Sequence, residues 1–225
     1  MDENTKELLG KAQTIYSRLL DLFGLPEWRE PLPAIDELIS TILSQNTNDR
    51  NRDVAFYALR AKFPTWEAVR DANPDEVIDK IRPAGLANQK GPRIQKVLQQ
   101  ITEERGNLDL NFLKDYPAED AHAWLTRFHG VGPKTAAIVL QFALEIPAFP
   151  VDTHVYRVSG RLGLRPEKMN ADQAHPHLAS LFDPNTYGPA HLNLIRLGRE
   201  ICLARKPKCE ICPLKDLCNY YQSQR

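Results

Sequence analysis

Apolar residues recur at helical spacing along most of this 225-residue chain, and this periodicity is what most limits the folds open to it. The first stripe runs from Leu8 to Phe23 and stops at Gly24 and Pro26, residue types that end helices. No segment alternates like a strand for more than three or four residues. The pattern therefore predicts an all-α fold of ten or more short helices. Further helices are expected around 38–43, 54–63, 66–71 (capped by Thr65), 74–81 (capped by Asn73), 94–101, 119–128, 134–144, 155–162, 171–182 and 190–204.

Composition and charge limit the kind of protein. The chain is 42% hydrophobic and 26% charged, and it has no apolar run near the ~20 residues that cross a bilayer. Its acidic Met-Asp-Glu-Asn start is unlike a targeting peptide, so we expect a cytoplasmic protein with no membrane partner. The formal net charge is zero, and local basic stretches fit a phosphate backbone or a solvated helix face equally well. These stretches are 80–105 (Lys80, Arg82, Lys90, Arg93, Lys96, Arg105) and 196–208 (Arg196, Arg199, Arg205, Lys206, Lys208).

All four cysteines lie close together near the C-terminal end, in the spacing C-x6-C-x2-C-x5-C: Cys202, Cys209, Cys212 and Cys218. Thiols this dense in a cytoplasmic chain indicate a metal site rather than disulfides. Structural zinc sites usually show two short Cys-x-x-Cys pairs, whereas this chain has one. Pro213 also follows Cys212, as prolines often follow iron–sulfur ligands. The pattern favours a [4Fe–4S] cluster over zinc.

The six residues between Cys202 and Cys209 read Leu-Ala-Arg-Lys-Pro-Lys. If a cluster anchors both ends of this loop, Arg205, Lys206 and Lys208 are fixed in space. Such a loop loses little ordering entropy when it binds phosphate, so we predict that it binds DNA. The alternative is a cluster that only stabilises the fold of the C-terminal segment.

Residues 129–136, His-Gly-Val-Gly-Pro-Lys-Thr-Ala, join two predicted helices through a tight turn. Glycine lets backbone N–H groups approach an anion closely, and Pro133 is favoured at the first position of a helix. The helix N-terminus adds a favourable dipole. We therefore predict a helix-hairpin-helix in which Gly130, Val131 and Gly132 hold a nucleic-acid phosphate without reading its sequence.

Lys134 lies in the first turn of the second of these helices, where the positive end of the macrodipole disfavours a cation. This position, together with partial burial, favours the neutral amine, which is the nucleophile of Schiff-base chemistry. A lysine that only contacts phosphate is the alternative. Asp152, in Phe-Pro-Val-Asp-Thr-His-Val, is either the N-cap of the next helix or a carboxylate that stabilises a sugar cation or shuttles a proton.

The segments GVGPKTA (130–136) and VDTHV (151–155), followed by the cysteine spacing, resemble endonuclease III of the helix-hairpin-helix DNA glycosylases. The resemblance extends from about residue 10 to Cys218. It implies two helical lobes, a six-helix domain with the helix-hairpin-helix (27–146) and an iron–sulfur cluster domain (1–26 and 147–225), with a DNA-binding cleft between them. It also implies a monomer, associated with the nucleoid, that binds double-stranded DNA containing damaged bases or abasic sites and flips the damaged nucleotide out.

By the same resemblance, Lys134 is the catalytic lysine and Asp152 the catalytic aspartate. The amine attacks the sugar C1′, the base departs, and the resulting imine permits β-elimination of the 3′ phosphate. Family substrates are oxidised or ring-opened pyrimidines. Asn46, with Gln45 beside it, stands where the family has a glutamine that fills the gap left by the flipped base, and Leu86 matches the family's wedge leucine. The residues implied for the substrate pocket are Ser44, Gln45, Asp49 and His154.

Two related enzymes and one non-enzyme are the alternatives. Adenine glycosylases share the cluster but have serine at the position of Lys134 and glutamate at that of Thr41. Thymine/uracil mismatch glycosylases share the fold and are the main enzymatic alternative. A non-catalytic DNA-binding iron–sulfur protein needs neither Lys134 nor Asp152, so the presence of both argues against it.

Overall fold

The computed structural model describes residues 3–27 and 30–224. Within these residues every regular element is helical, which confirms the predicted all-α fold. None of the described helices is long and apolar enough to cross a membrane. The α-helices are α1 (Glu3–Phe23), α2 (Ala34–Ser44), α3 (Asp49–Lys62), α4 (Trp66–Asp71), α5 (Pro74–Ile81), α6 (Ala87–Arg105), α7 (Ala118–Thr126), α8 (Pro133–Ala143), α9 (Thr153–Leu162), α10 (Ala171–Ala179), α11 (Tyr187–Glu200) and α12 (Asn219–Gln222). The 3-10 turns are Arg82–Ala84, Asn111–Asp115, Pro184–Thr186, Cys209–Ile211 and Lys215–Leu217.

The predicted caps of two helices are confirmed. The Thr65 side chain accepts a hydrogen bond from the Ala68 N–H at 3.2 Å, at the start of α4. The Asn73 side chain accepts one from the Asp75 N–H at 3.0 Å, at the start of α5. Each cap satisfies a backbone donor that the first turn of a helix leaves free.

Helix α6 is longer than its predicted span, 94–101, because it begins at Ala87 and continues through Gly91 and Pro92. The missing side chain at Gly91 lets α6 approach α5 closely. A Cβ there would lie 2.9 Å from Cγ1 of Ile78, nearer than real Cβ atoms come. Packing between the two helices therefore overrides the local tendency of Gly-Pro to interrupt a helix.

Residues Pro31–Ile146 form one compact unit, here called the hairpin unit, which contains α2 to α8. Its core includes the packed faces of α2 and α8. Burial of a large aliphatic side chain contributes roughly 1.5–3 kcal/mol, so this packing fixes α8 while Lys134 in its first turn stays exposed. Buried residues of these two helices include Leu38, Ile42, Ala136, Val139 and Leu140.

The remaining residues, Met1–Glu30 and Pro147–Arg225, form the second unit, here called the cysteine unit. It contains α1 together with α9 to α12, so the first helix completes a core built from the last third of the chain. Helix α1 packs on α11. The Nδ2 of Asn193 also donates to the Gly24 carbonyl at 3.1 Å, which fixes the end of α1. Core residues of this unit include Ile15, Leu19, Val155, Val158, Leu194 and Leu197.

Candidate active site and cluster site

The loop between α7 and α8 is a tight turn whose shape requires Gly130. Its φ of +89° lies in the left-handed region that side chains disfavour. A Cβ at this position would also overlap Cδ of Arg93, because the arginine side chain packs directly on the glycine backbone. The backbone conformation is therefore what requires glycine here, since the arginine side chain is flexible and can move aside.

Three backbone donors of this turn are open. Within the described residues, the N–H groups of Gly130, Gly132 and Lys134 have no acceptor, as the first turn of a helix leads us to expect. Val131 differs from the two glycines beside it. Its N–H donates to the Phe128 carbonyl at 2.9 Å, and its side chain is buried. Val131 therefore holds the turn together and offers no donor to an anion.

The side chain of Lys134 lies at the same end of α8 and is exposed, which corrects the expected partial burial. It forms no ion pair with a carboxylate in the described parts of the chain. Burial lowers the pKa of His122, on α7, and the backbone of Pro133 opposes this shift. The amine of Lys134 is thus accessible to a bound molecule.

Asp152, in the cysteine unit, is half-buried and forms the N-cap of α9. Its Oδ1 accepts a hydrogen bond from the Val155 N–H at 2.7 Å. The second oxygen, Oδ2, has no donor among the described residues, so the carboxylate can cap the helix and still face a ligand. Burial lowers the pKa of His154, two residues on, while the Asp152 carboxylate opposes this shift. Arg157 Nη2 lies 3.1 Å from Nδ1 of His154 and holds that ring in place.

Asn46 and Leu86 share an unusual backbone conformation. Their φ angles are +53° and +51°, in the left-handed region that costs energy for residues other than glycine. Both side chains are exposed, and Leu86 is 48% exposed to solvent. Strained, exposed residues of this kind occur where the surrounding structure enforces them, often at binding sites.

Gln45 lies next to Asn46 but is engaged inside the hairpin unit. Its Nε2 donates to the Gly130 carbonyl at 2.9 Å, and its Oε1 accepts from Arg93 Nη1 at 3.0 Å. The side chain therefore ties the segment after α2 to the hairpin turn. Of the two residues considered for filling the gap of a flipped base, only Asn46 has an uncommitted side chain.

Two other residues predicted for the pocket have partners within their own helices. The Ser44 hydroxyl donates to the Thr41 carbonyl at 2.7 Å, at the end of α2. Asp49, in the first turn of α3, pairs with Arg52 at 3.1 Å. Both belong to the hairpin unit, whereas His154 belongs to the cysteine unit.

The four cysteines of the C-terminal segment are free thiols that line one common cavity. In the described chain, no three His, Cys, Asp or Glu side chains converge closely enough to hold one metal ion. Burial is the main cause that raises the pKa of Cys209 and of Cys212, so their thiolates need a cationic group.

The basic loop between Cys202 and Cys209 is held at both ends. Arg161 donates from Nη1 to the Leu203 carbonyl at 2.7 Å and lies 3.3 Å from the sulfur of Cys202. At the other end, the Lys208 N–H donates to the Ile201 carbonyl at 2.9 Å. The cationic side chains in between are exposed, with no ion pair to any described carboxylate: Arg205, Lys206 and Lys208.

The sequence did not predict that Lys90 is buried. This lysine belongs by sequence to the basic stretch 80–105, but its side chain is only 1% exposed and adds nothing to a surface patch. Burial, with a smaller contribution from the nearby Arg93 charge, lowers the pKa of Lys90 to about 8. The available signal was its position four residues before Ile94 and seven before Val97, on the apolar stripe of α6.

Comparison with known proteins finds matches to both units. Residues 39–184 match the family described as HhH-GPD superfamily base excision DNA repair protein, and residues 202–218 match the iron-sulfur binding domain of endonuclease III. The chain is similar to endonuclease III of Thermotoga maritima, with 34% identity over 185 residues, or 82% of each chain. It is 39% identical to a putative DNA glycosylase of Arabidopsis thaliana over 144 residues, and it spans about half (49%) of that longer protein.

Two solved structures are similar in fold. One is a non-covalent endonuclease III–DNA complex, with a TM-score of 0.83 and 26% identity, covering 96% of this chain and 97% of that chain. The other is a trapped endonuclease III–DNA covalent intermediate, with a TM-score of 0.81 and 27% identity, covering 95% and 98%.

Proposed function

The chain belongs to the endonuclease III family of the HhH-GPD base excision DNA repair proteins, and on that premise we propose which of its residues act and on which bases. It is a DNA glycosylase/AP lyase that binds DNA and carries an iron–sulfur domain, which confirms the predicted family, enzyme class and [4Fe–4S] cofactor. The proposed substrates are oxidised pyrimidines in double-stranded DNA, and abasic sites. A monomeric state and a cytoplasmic, nucleoid-associated location stay predictions.

One observation carries the proposed chemistry, namely the accessible amine of Lys134 beside three open backbone donors. The N–H groups of Gly130, Gly132 and Lys134 suit a DNA phosphate, which would bring the strand to the start of α8. The neutral amine of Lys134 then attacks C1′ of the flipped nucleotide, and the bond to the base breaks with its electron pair leaving on the base. Opening of the sugar gives an imine, and loss of a C2′ proton expels the 3′ phosphate.

Asp152 is proposed as the second catalytic residue. Oδ1 caps α9 and Oδ2 has no donor among the described residues, so a negative charge on this carboxylate is held at a fixed position. A charge of this sign stabilises the cationic character that develops on the sugar as the base departs. It can also move the proton that the reaction transfers.

Asn46 and Leu86 are proposed to enter the DNA stack when the damaged base leaves it. We call Gln45–Thr47 the plug segment and Gly85–Leu86 the wedge segment. Asn46 is preferred to Gln45 as the plug because Gln45 is hydrogen-bonded to the hairpin turn and to Arg93. Leu86 supplies an exposed apolar surface of the kind that fills a gap between stacked bases.

Replacing Leu86 by alanine should slow excision of a damaged base by about 10-fold, because filling the vacated stack helps to hold the base out. Thermal stability should change little, since an exposed side chain contributes within about 0.5 kcal/mol. Asn46→Ala should slow excision in the same single-turnover assay. Val54→Ala is the matched control, because Val54 is 49% exposed in the same unit. If Leu86→Ala melts earlier yet excises at the wild-type rate, the leucine serves packing alone.

The four cysteines are proposed as the ligands of the cluster, which anchors the basic loop for contact with phosphate. Serine at Cys209 should lower the iron content of the purified protein from about four per chain. A Cys209→Ser variant with full iron content would remove Cys209 from the ligand set. The cluster serves here as an anchor, and the proposed chemistry at the sugar belongs to Lys134 and Asp152.

Alanine at Lys206 or Lys208 should weaken binding to all DNA sequences alike. Each lost phosphate contact should make the negative slope of log K against log salt shallower by about one unit. Anisotropy titrations between low and moderate salt measure this slope. Lys168→Ala, which removes an exposed lysine of the same unit, should leave the slope unchanged. An unchanged slope for both loop variants would mean that the loop does not contact DNA.

A panel of duplexes tests the proposed substrates. Single-turnover excision is measured on thymine glycol, 5-hydroxycytosine, uracil, thymine opposite guanine, and a bare abasic site. We expect cleavage of the two oxidised pyrimidines and of the abasic site, with little action on uracil or mismatched thymine. Preferred action on mismatched thymine or uracil would favour the mismatch glycosylase instead.

A further inference from the structure

Lys90 is a buried cation that the proposed reaction does not use. Its side chain is 1% exposed, and its Nζ donates to the backbone carbonyls of Leu43 and Ala84, both at 2.8 Å. No carboxylate of the described residues forms an ion pair with it, and the nearby charged group is another cation, Arg93. Because a buried ammonium is costly to desolvate, packing alone does not explain a lysine at this position.

The two carbonyls belong to the two stretches of chain that end in the proposed stack-entering residues. Leu43 lies in the last turn of α2, three residues before Asn46. Ala84 ends a 3-10 turn two residues before Leu86. The backbone N–H of Lys90 also donates to the Leu86 carbonyl at 2.9 Å. One residue of α6 thus holds both stretches.

The backbone conformation of the two segments shows why such a tie is useful. Asn46 and Leu86 both have left-handed φ angles, and such conformations persist only where the surroundings over-determine them. The plug segment has a second tie one turn along α6, where Arg93 donates to Gln45. On the other side, the Lys90 Nζ holds the carbonyl of Ala84, the residue just before the wedge segment. The bond from the Lys90 N–H to the Leu86 carbonyl is the first backbone bond of α6 and does not depend on the lysine side chain.

We propose that Lys90 is a positioning residue that holds the wedge and plug segments in fixed register, so that Leu86 and Asn46 enter the DNA stack together. The inference rests on the proposed function, because it takes these two residues as the ones that enter. Lys90 is buried and acts only through the carbonyls that it binds. Without its donors the two segments move independently, and the gap left by the flipped base is filled less often.

A double-mutant cycle tests this role. Lys90→Met keeps the side-chain length and removes the donors, and it should slow single-turnover excision by about 10- to 100-fold, as expected for a misplaced functional group. It should also reduce the fluorescence change of 2-aminopurine placed opposite a tetrahydrofuran abasic analogue, which reports entry of the protein into the stack. In the Leu86→Ala/Asn46→Ala background, Lys90→Met should slow excision by less than about threefold, because nothing remains to be positioned.

Gln95 supplies a matched control on the same helix. It is buried, and its Nε2 donates to the backbone carbonyls of Val69 at 3.0 Å and Ala72 at 2.8 Å, at the end of α4. Gln95→Leu also removes a buried donor to backbone carbonyls, but these carbonyls lie around the end of α4 and not in the stretches that lead to Asn46 and Leu86. It should lower the melting temperature while leaving the excision rate and the 2-aminopurine signal of the folded protein unchanged.

Equal slowing by Lys90→Met in both backgrounds would overturn the proposal, as would an unchanged 2-aminopurine signal in the single variant. Wild-type excision by Leu86→Ala/Asn46→Ala would also overturn it, because Lys90 would have nothing to act through. If Lys90→Met does not fold, Lys90→Gln, which keeps one N–H₂ group, enters the same cycle under the same criteria. A wild-type protein that neither excises nor traps DNA counts against the proposed function, while the fluorescence measurement, which needs binding alone, still decides on Lys90.

Discussion

Glutamine at Lys134 should abolish the covalent protein–DNA adduct that borohydride traps with damaged or abasic duplex. Trapping needs an imine between a lysine amine and the sugar C1′, and an amide cannot form one. We expect the adduct yield to fall by at least about 10³-fold, the scale of losing a nucleophile. DNA binding should persist, because the open donors of Gly130 and Gly132 are unchanged. Denaturing gels measure the adduct, and anisotropy measures binding.

The control for this variant is Lys114→Gln, which removes an exposed lysine elsewhere in the hairpin unit. It should trap at the wild-type yield. A normal adduct yield from Lys134→Gln would show that Lys134 contacts phosphate and that another amine performs the chemistry.

Asparagine at Asp152 should slow base excision by about 10²-fold or more, because the variant loses the charge that stabilises the sugar as the base departs. The fold should be kept, since an asparagine oxygen can still accept from the Val155 N–H and cap α9. Strand cleavage at a preformed abasic site should be less sensitive, because no base has to leave. Single-turnover rates on the two substrates give the comparison.

Two further variants separate charge from capping. Asp152→Ala also removes the cap and should destabilise the protein by a further ~1 kcal/mol. Asp183→Asn is the control, because Asp183 also caps a turn of the cysteine unit, through the Asn185 N–H at 2.8 Å. If Asp152→Asn excises at the wild-type rate, Asp152 is only a cap. If Asp152→Asn slows the reaction equally on the lesion and on the abasic site, Asp152 acts in a step other than departure of the base.

Features that depend on neighbouring residues could be predicted from the sequence alone. Helical spacing predicts the all-α fold, and the capping of α4 by Thr65 and α5 by Asn73 depends only on neighbouring residues. The cysteine spacing predicts a cluster because a ligand set confined to 202–218 needs no distant part of the chain. The assignment of Lys134 and Asp152 as catalytic residues stays a prediction for the variants above to test.

Partners from distant parts of the chain could not be predicted. In the sequence Gln45 is only the neighbour of Asn46. The fold shows that its side chain is hydrogen-bonded to the carbonyl of Gly130, 85 residues away. Lys90 reads as part of a basic surface, although its ammonium is buried against a carbonyl 47 residues distant in sequence. Lys134 was expected to be partly buried and is exposed. Each depends on which helices pack together.

The sequence by itself therefore determined the all-α class, the caps of α4 and α5, the cysteine cluster motif and the family, because each follows from spacing within a short segment. It did not determine the start of α6, where packing carries the helix through Gly91 and Pro92. Only the tertiary structure decided which polar groups are free and which are engaged. A hydrogen bond or a desolvated charge depends on atoms brought together by packing, and spacing along the chain does not encode that proximity. For this reason only the assembled structure shows that, among the described residues, Gln45 is hydrogen-bonded while its neighbour Asn46 is not. In the same way, only the packing of α6 on α2 shows that Lys90 is buried while other lysines of the basic stretch are not.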